Sequence, residues 1–304
     1  MPKAFVLSRY GGPEVSDFAE IERPVPAAGQ VLVAVRAAGV NPADWKRRRG
    51  GPQAVPLDGP TPMGRELSGV IEEVGPGVEG FAPGDAVFGV PPIGGSFAEY
   101  AILSVDQMAK KPSGVSFLDA ATLGVAAATA YDGVNQLDPK ADETLLIIGI
   151  GGGVGIAAAQ IAIGRGARVI GTASASKREL VESFGAEHVA YSDSTIDKVR
   201  GVAPNGVDAI FDMVGFEALR ELAPLVNDPK RMISISDAAT AEALGGQPID
   251  RKRNSAVLEA VGHLVESGQL KPTITEVYPF ERAAEAMAVV EAGHAAGKVV
   301  LEMD

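Results

Sequence analysis

Cysteine is absent from the chain. That absence removes disulfides and thiolate-bound metal from consideration. Histidine is nearly as scarce: His188, His263 and His294 are scattered and show no H-x-x-x-H spacing, so they suggest no histidine-rich zinc site. No apolar run approaches the ~18 to 20 residues needed to span a bilayer. The opening Met1-Pro-Lys-Ala-Phe-Val-Leu lacks the long apolar stretch of a signal peptide and reads as a first strand. Positive charge is also short. Lys and Arg number 27 against 39 Asp and Glu, a net charge of −12 that repels polyanions such as nucleic acid. These absences predict a soluble cytoplasmic protein with neither nucleic acid nor membrane as partner. One basic run stands apart, Lys46-Arg-Arg-Arg49. It is either a solvated helix end or a set of cations beside a phosphate-bearing ligand.

What is present is a globular chain of 304 residues, 46% of them hydrophobic, enough to fill real cores. At ~150 residues per domain the length suggests about two domains. Residues 1–121 carry short β-like runs, such as Val31-Leu-Val-Ala-Val35 and Val70-Ile-Glu-Glu-Val74, punctuated by Gly and Pro turns. That pattern predicts a β-rich, barrel-like unit. Residues 122–262 alternate strands, at 144–148, 168–172, 188–191, 207–212 and 231–235, with helical stretches. Alternation at this spacing predicts parallel βαβ units, an α/β fold. Residues 263–304 return to a mixed pattern, with a strand at Lys298-Val-Val-Leu-Glu302, and are expected to rejoin the first domain.

The most informative segment is Gly149-Ile-Gly-Gly-Gly-Val-Gly155, between the apolar run Leu145–Ile148 and an Ala-rich helical stretch. Strand, glycine turn and helix, in that order, let a backbone approach a pyrophosphate while the helix N-terminus favours its negative charge. Gly149, Gly152, Gly153, Val154 and Gly155 are therefore the expected dinucleotide-binding turn. An acid some 20 residues further on would select NAD through the ribose 2′-hydroxyl. Here that region reads Thr172-Ala-Ser-Ala-Ser-Lys-Arg178 and holds no acid. Ser174, Ser176 and Lys177 suit a 2′-phosphate instead, which points to NADPH. The same residues also fit an ordinary helix N-cap and a solvated first turn.

With these segments in order, the chain resembles the medium-chain dehydrogenase/reductase superfamily, most closely its zinc-independent quinone oxidoreductase branch. The resemblance is carried by Gly39-Val-Asn-Pro-Ala-Asp44, Gly64-Arg-Glu-Leu-Ser-Gly69, Ser96-Phe-Ala-Glu-Tyr100, Ala128-Thr-Ala-Tyr131, Gly152-Gly-Val-Gly155, Asp212-Met-Val-Gly215 and Gly297-Lys-Val-Val-Leu301. It implies a GroES-like β-rich catalytic domain, a Rossmann domain with a doubly wound parallel sheet, and a homodimer. Zinc-dependent members carry cysteine where this chain has Asn41 and histidine where it has Arg65. Without a Lewis acid, alcohol oxidation is a poor fit. Hydride addition to an activated alkene remains open, because hydrogen-bond donors can stabilise the enolate. The implied activity is NADPH-dependent reduction of a small quinone or α,β-unsaturated carbonyl. Two alternatives stay open: an enoyl-thioester reductase, and a NADPH-binding protein with a structural or sensing role.

The resemblance also assigns residues. Tyr191 matches a position that often contacts the 2′-phosphate, and Thr129 one whose hydroxyl lies beside the nicotinamide. A Thr in an Ala-rich helix can equally bond its own backbone. The backbones of Val214, Gly215, Ser234 and Ser236 end later strands and are expected at the nicotinamide ribose and carboxamide. Asn41 is read either as a donor to the substrate carbonyl or as a turn residue before Pro42. Lys46 falls where relatives often place an aromatic residue in the substrate pocket, and a lysine there suits an anionic group or a developing enolate. Arg65 is expected either to pair with Glu66 or to reach the nicotinamide or the substrate carbonyl. Asp44 is expected to brace its loop.

Overall fold

The computed structural model describes residues 1–51, 54–293 and 295–303; His294 lies outside them. The first strands are β1 Lys3–Leu7, β2 Ser16–Glu20 and β3 Gln30–Val40, followed by helix α1 Pro42–Arg49. Then come β4 Thr61–Pro62, β5 Glu66–Val74, β6 Ala86–Gly89, β7 Tyr100–Ser104, β8 Met108–Lys110 and α2 Phe117–Ala120. A π-helical turn, Leu123–Ala127, leads into α3 Ala128–Leu137. The alternating part runs β9 Thr144–Ile148, α4 Gly153–Gly164, β10 Arg168–Ala173, α5 Arg178–Ser183, β11 Glu187–Ala190 and α6 Thr195–Val202. It continues with β12 Ala209–Asp212, α7 Phe216–Leu222, β13 Met232–Ser234, α8 Ala238–Ala243 and β14 Gln247–Pro248. The remaining elements are α9 Ser255–Glu266, β15 Ile274–Pro279, α10 Ala283–Glu291 and β16 Lys298–Glu302.

The chain forms two compact units. One comprises Met1–Ala128, Arg253–Ser267 and Pro272–Asp304; the other comprises Thr129–Lys252 and Gly268–Lys271. These limits differ from those read in the sequence, 121 and 262. The boundary read at 262 falls within helix α9, all of which belongs to the β-rich unit, where it packs on β8 and the π-helical turn. A Cβ on its Gly262 would meet Phe88 and Pro112 at ordinary contact distance. An apolar helical period says that a helix is buried, but not against which core.

In the β-rich unit a seven-stranded sheet has the order β15-β16-β3-β5-β6-β8, with β7 also paired to β3. β15 and β16 are parallel; the other pairings are antiparallel. A smaller sheet, β2-β1-β4, lies beside it in the chain order. Phe5, Leu7, Val31, Leu67, Ile71, Phe97 and Leu301 are among the buried side chains of one core. Two register shifts along β3, at Leu32/Val33 and Val35/Ala37, bend that long strand.

In the second unit six parallel strands follow the order β11-β10-β9-β12-β13-β14. In order of appearance this is 3-2-1-4-5-6, the doubly wound Rossmann arrangement. β12 is buried along its whole length and β9 nearly so, as strands covered by helices on both faces must be. The sixth strand was not anticipated. It has two exposed residues, one of them proline, which suits a sheet edge and leaves no apolar signal. No described helix is long and apolar enough to cross a membrane.

Candidate functional site

The glycine turn starts where β9 ends. Gly149 adopts φ +86°, and its N–H donates to the Thr172 carbonyl at 3.0 Å. A Cβ on Gly155 would lie 2.6 Å from Ile150 Cα and 2.7 Å from the Gly149 oxygen. Glycine there brings α4 hard against the end of β9. Gly152 is the N-cap of α4, and Gly152, Gly153 and Val154 are half-buried, open to a ligand from one side. N–H groups in the first turn of a helix have no intrahelical acceptor and face outward with the positive end of the dipole. These features could hold a pyrophosphate.

The loop after β10 carries Ser174, Ser176 and Lys177, the residues expected to face the ribose 2′-position. Ser174 and Ser176 are exposed and their hydroxyls lie 3.0 Å apart. Lys177 is half-buried and leans over the glycine turn, with its Nζ 3.3 Å from the Gly151 oxygen. A Cβ on Gly151 would sit 2.4 Å from Lys177 Cδ, so that glycine makes room for the lysine stem. Burial holds the Lys177 ammonium below its ordinary pKa. Tyr191 follows β11 and is 40% exposed. Burial of its phenol raises its pKa, against the pull of Thr172 and of the Gly149 backbone. The glycine turn, Ser174, Lys177, Tyr191, Val214, Gly215, Ser234 and Ser236 thus all lie at the C-terminal ends of parallel strands. Thr129, buried in the first turn of α3, stands on a helix instead.

The ends of β12 and β13 are locked together. Asp212 is fully buried; its Oδ1 accepts the N–H groups of Val214 and Gly215, both at 3.0 Å. Ser234 Oγ donates to Asp212 Oδ2 at 2.6 Å and accepts from Ser236 and Asp237 N–H at 3.1 and 2.9 Å. Burial pushes the Asp212 carboxyl above its usual range. This revises one expectation. The N–H groups of Val214, Gly215 and Ser236 are spent on shaping their own loops, because a buried carboxylate and hydroxyl draw in the nearest donors.

In the β-rich unit, buried polar groups converge below α1. Asn41 caps that helix and is 4% exposed. Its Nδ2 donates to Glu66 Oε1 at 2.8 Å, and its Oδ1 accepts from Lys298 Nζ at 2.7 Å. Lys298 Nζ also reaches Glu66 Oε1 at 2.7 Å, and Glu66 Oε2 accepts the Val125 N–H at 2.7 Å. A Cβ on Gly39 would lie 2.3 Å from Glu66 Oε1, so glycine admits the carboxylate. Asp44 Oδ2 accepts the Asn41 N–H at 2.8 Å, bracing the loop as expected. Burial raises the Asp44 carboxyl to about 7.

Two expectations are corrected here. Asn41 is not a free donor for a substrate, because its amide is committed to Glu66 and Lys298. The partner of Glu66 is Lys298, not Arg65. Glu66 turns inward at the start of β5, while Arg65 lines a cavity of ≈ 600 Å³ together with Lys46, Arg47, Tyr10, Leu57 and Asp58. The basic run divides. Arg48 and Arg49 clamp Glu291 of α10, whereas Lys46 and Arg47 reach the cavity.

The alcohol dehydrogenase GroES-like domain model matches residues 27–113, and the zinc-binding dehydrogenase model matches residues 184–301. The human quinone oxidoreductase is 32% identical over 98% of this chain and 97% of its own length. The chain belongs to the medium-chain dehydrogenase/reductase superfamily, in its quinone oxidoreductase-like branch. A chloroplastic NADPH-dependent alkenal/one oxidoreductase of Arabidopsis thaliana is also 32% identical, over 98% of this chain and 79% of its length. The solved quinone oxidoreductase of Coxiella burnetii superposes with TM-score 0.91 at 28% identity, covering 100% of this chain and 99% of that one.

For a member of this superfamily, the sequence reading missed two side chains. Lys298 was seen only as part of a strand, although a lysine opening Val-Val-Leu inside a buried strand is itself a signal that a counter-charge waits nearby. Asp212 was seen only as a motif letter, although an acid closing the apolar run Ala209-Ile-Phe is equally conspicuous. Among the described residues, no three His, Asp or Glu side chains gather so as to hold a metal ion.

Proposed function

We propose that this superfamily member is an NADPH-dependent reductase of quinones or α,β-unsaturated carbonyls. The observation that carries the reading is Lys177, laid over the glycine turn beside two exposed serines in a loop without an acid. When bound, the reduced dinucleotide supplies a hydride to a conjugated carbon, whose carbonyl oxygen takes up the displaced electron pair. The first turn of α4 holds the pyrophosphate. Ser174, Ser176, Lys177 and Tyr191 hold the 2′-phosphate. Thr129 orients the nicotinamide from α3, and the Asp212–Ser234 lock keeps the loops after β12 and β13 in shape. Water or an acid not assigned among these residues supplies the proton that completes the reduction. A homodimer, which rests on the family resemblance, belongs to the same proposal, as does a cytoplasmic location.

A charge-assisted contact from Lys177 is worth ~1.5–3 kcal/mol, about ten- to a hundredfold in affinity. NADPH is therefore expected to bind at least about tenfold more tightly than NADH. Lys177→Ala should erode that preference and leave NADH binding nearly unchanged. Titration of both cofactors into both proteins decides it. Equal wild-type affinities, or a variant that weakens both alike, contradict the assignment.

A further inference from the structure

We infer that the substrate carries an anionic oxygen group, carboxylate or phosphate, held in the β-rich unit by Lys46, Arg47 and Arg65. The inference rests on the reductase reading above, to which it adds the substrate's charge. A cavity of ≈ 600 Å³ is of small-molecule size. Its wall holds three cations and a single acid, Asp58, in a chain whose net charge is −12. Among the described residues, none of the three cations forms an ion pair, whereas the next two arginines in the chain both pair with Glu291. The run Lys46–Arg49 therefore sends half of its charge into structure and half toward a hollow.

Arg47 is held in advance. Its guanidinium donates to the Ile93 carbonyl at 2.9 Å. A Cβ on Gly94 would lie 2.4 Å from the same nitrogen, so the positive-φ glycine clears its path. A guanidinium fixed before binding loses little freedom when an anion arrives. Val55, Pro56 and Leu57 supply an apolar wall for the carbon skeleton, and the Tyr10 hydroxyl ties that wall through the Val55 carbonyl at 2.5 Å. A neutral quinone would use the apolar wall and leave the cations without a counter-charge.

Trp45 gives a reporter. It is the only tryptophan, and Lys46 Nζ lies 5.7 Å from its ring centroid. Its fluorescence can follow 4-oxopentanoate, which has no double bond to reduce, against the methyl ester and a simple phosphate monoester. The carboxylate or the phosphate should saturate at concentrations at least about tenfold below the ester, and binding should weaken with added salt. Arg65→Gln and Lys46→Gln should each raise the dissociation constant of the anion several-fold, in protein shown by titration still to bind NADPH.

Turnover is then compared between 4-oxopent-2-enoate, its methyl ester and a phosphate-bearing enoyl thioester. At least one anionic substrate should exceed the ester in kcat/KM by about tenfold, mainly through KM. Which of them does so tells carboxylate from phosphate. Equal binding and equal kcat/KM for acid, ester and phosphate overturn the inference and leave the reductase reading intact. Saturable anion binding without consumption of NADPH by any quinone or enone overturns the reductase reading and leaves the cavity's selectivity standing.

Discussion

The two units build their polar centres in opposite ways. In the Rossmann unit the decisive turn is made by seven consecutive residues, Gly149 to Gly155, and backbone does the work. In the β-rich unit Asn41, Glu66 and Lys298 meet across separations of 25, 232 and 257 residues, and side chains do the work. The first centre tolerates almost any side chain that leaves the backbone its path. The second depends on each partner being present, because a buried charge that loses its counter-charge has no water to turn to.

The largest test of this contrast is Lys298→Met. Removing one member of a buried ion pair is expected to lower stability by ~3–5 kcal/mol. Combining it with Glu66→Gln should recover more than half of the loss, since the exposed error is the lone carboxylate. Urea unfolding of the two variants checks both statements. A single variant as stable as wild type would mean that the pair carries no weight.

Gly155→Ala tests the backbone centre. Its methyl would meet Ile150 and Gly149 main-chain atoms at 2.6 to 2.7 Å. Forcing the turn apart should destabilise the protein by ~1–3 kcal/mol, and NADPH affinity should fall at least about tenfold as the first-turn amides move. An alanine that leaves cofactor titration curves unchanged would refute this packing argument.

Asp44 offers a pH test in the β-rich unit. Burial raises its carboxyl from 3.8 to about 7. The folded state then binds more protons than the unfolded state between those values, so this group lowers stability as pH rises through that window. Asp44→Asn keeps an acceptor for the Asn41 N–H and removes the titration. It should be more stable than wild type by up to about 4 kcal/mol at pH 8 and lose most of that advantage near pH 4. Thermal melts across this range would show a constant difference if Asp44 does not titrate there.

The smallest effect is expected at the far end of α4. A Cβ on Gly164 meets nothing within 4 Å, so Gly164→Ala should stabilise by up to ~0.5–1 kcal/mol. Calorimetry of this variant beside Gly155→Ala isolates packing from helix propensity within one helix.

The contrast also explains what was legible in the sequence. Strands β9 and β16 were placed to the residue and the glycine turn was read outright, because each is a local pattern of apolar run, turn and helix. The acid-free loop at 172–178 was legible for the same reason. Glu66 was noticed but given Arg65, its chain neighbour, because a sequence displays neighbours and not the strand from the other end of the chain that pairs with β3. Asp212 and Ser234, 22 residues apart, were each seen, yet their 2.6 Å bond follows only from parallel strands in register.

One consequence follows from the three-segment make-up of the β-rich unit. Synthesis proceeds from N- to C-terminus, so Thr129–Lys252 leaves the ribosome with all six Rossmann strands before β16 exists. The stretch of β3 from Ala37 to Val40 must wait for that strand with its hydrogen-bonding edge unoccupied. Open edges in nascent chains invite wrong partners. The half of the protein that is made first is thus the half that is finished last, and its vulnerable interval is the time needed to translate the other.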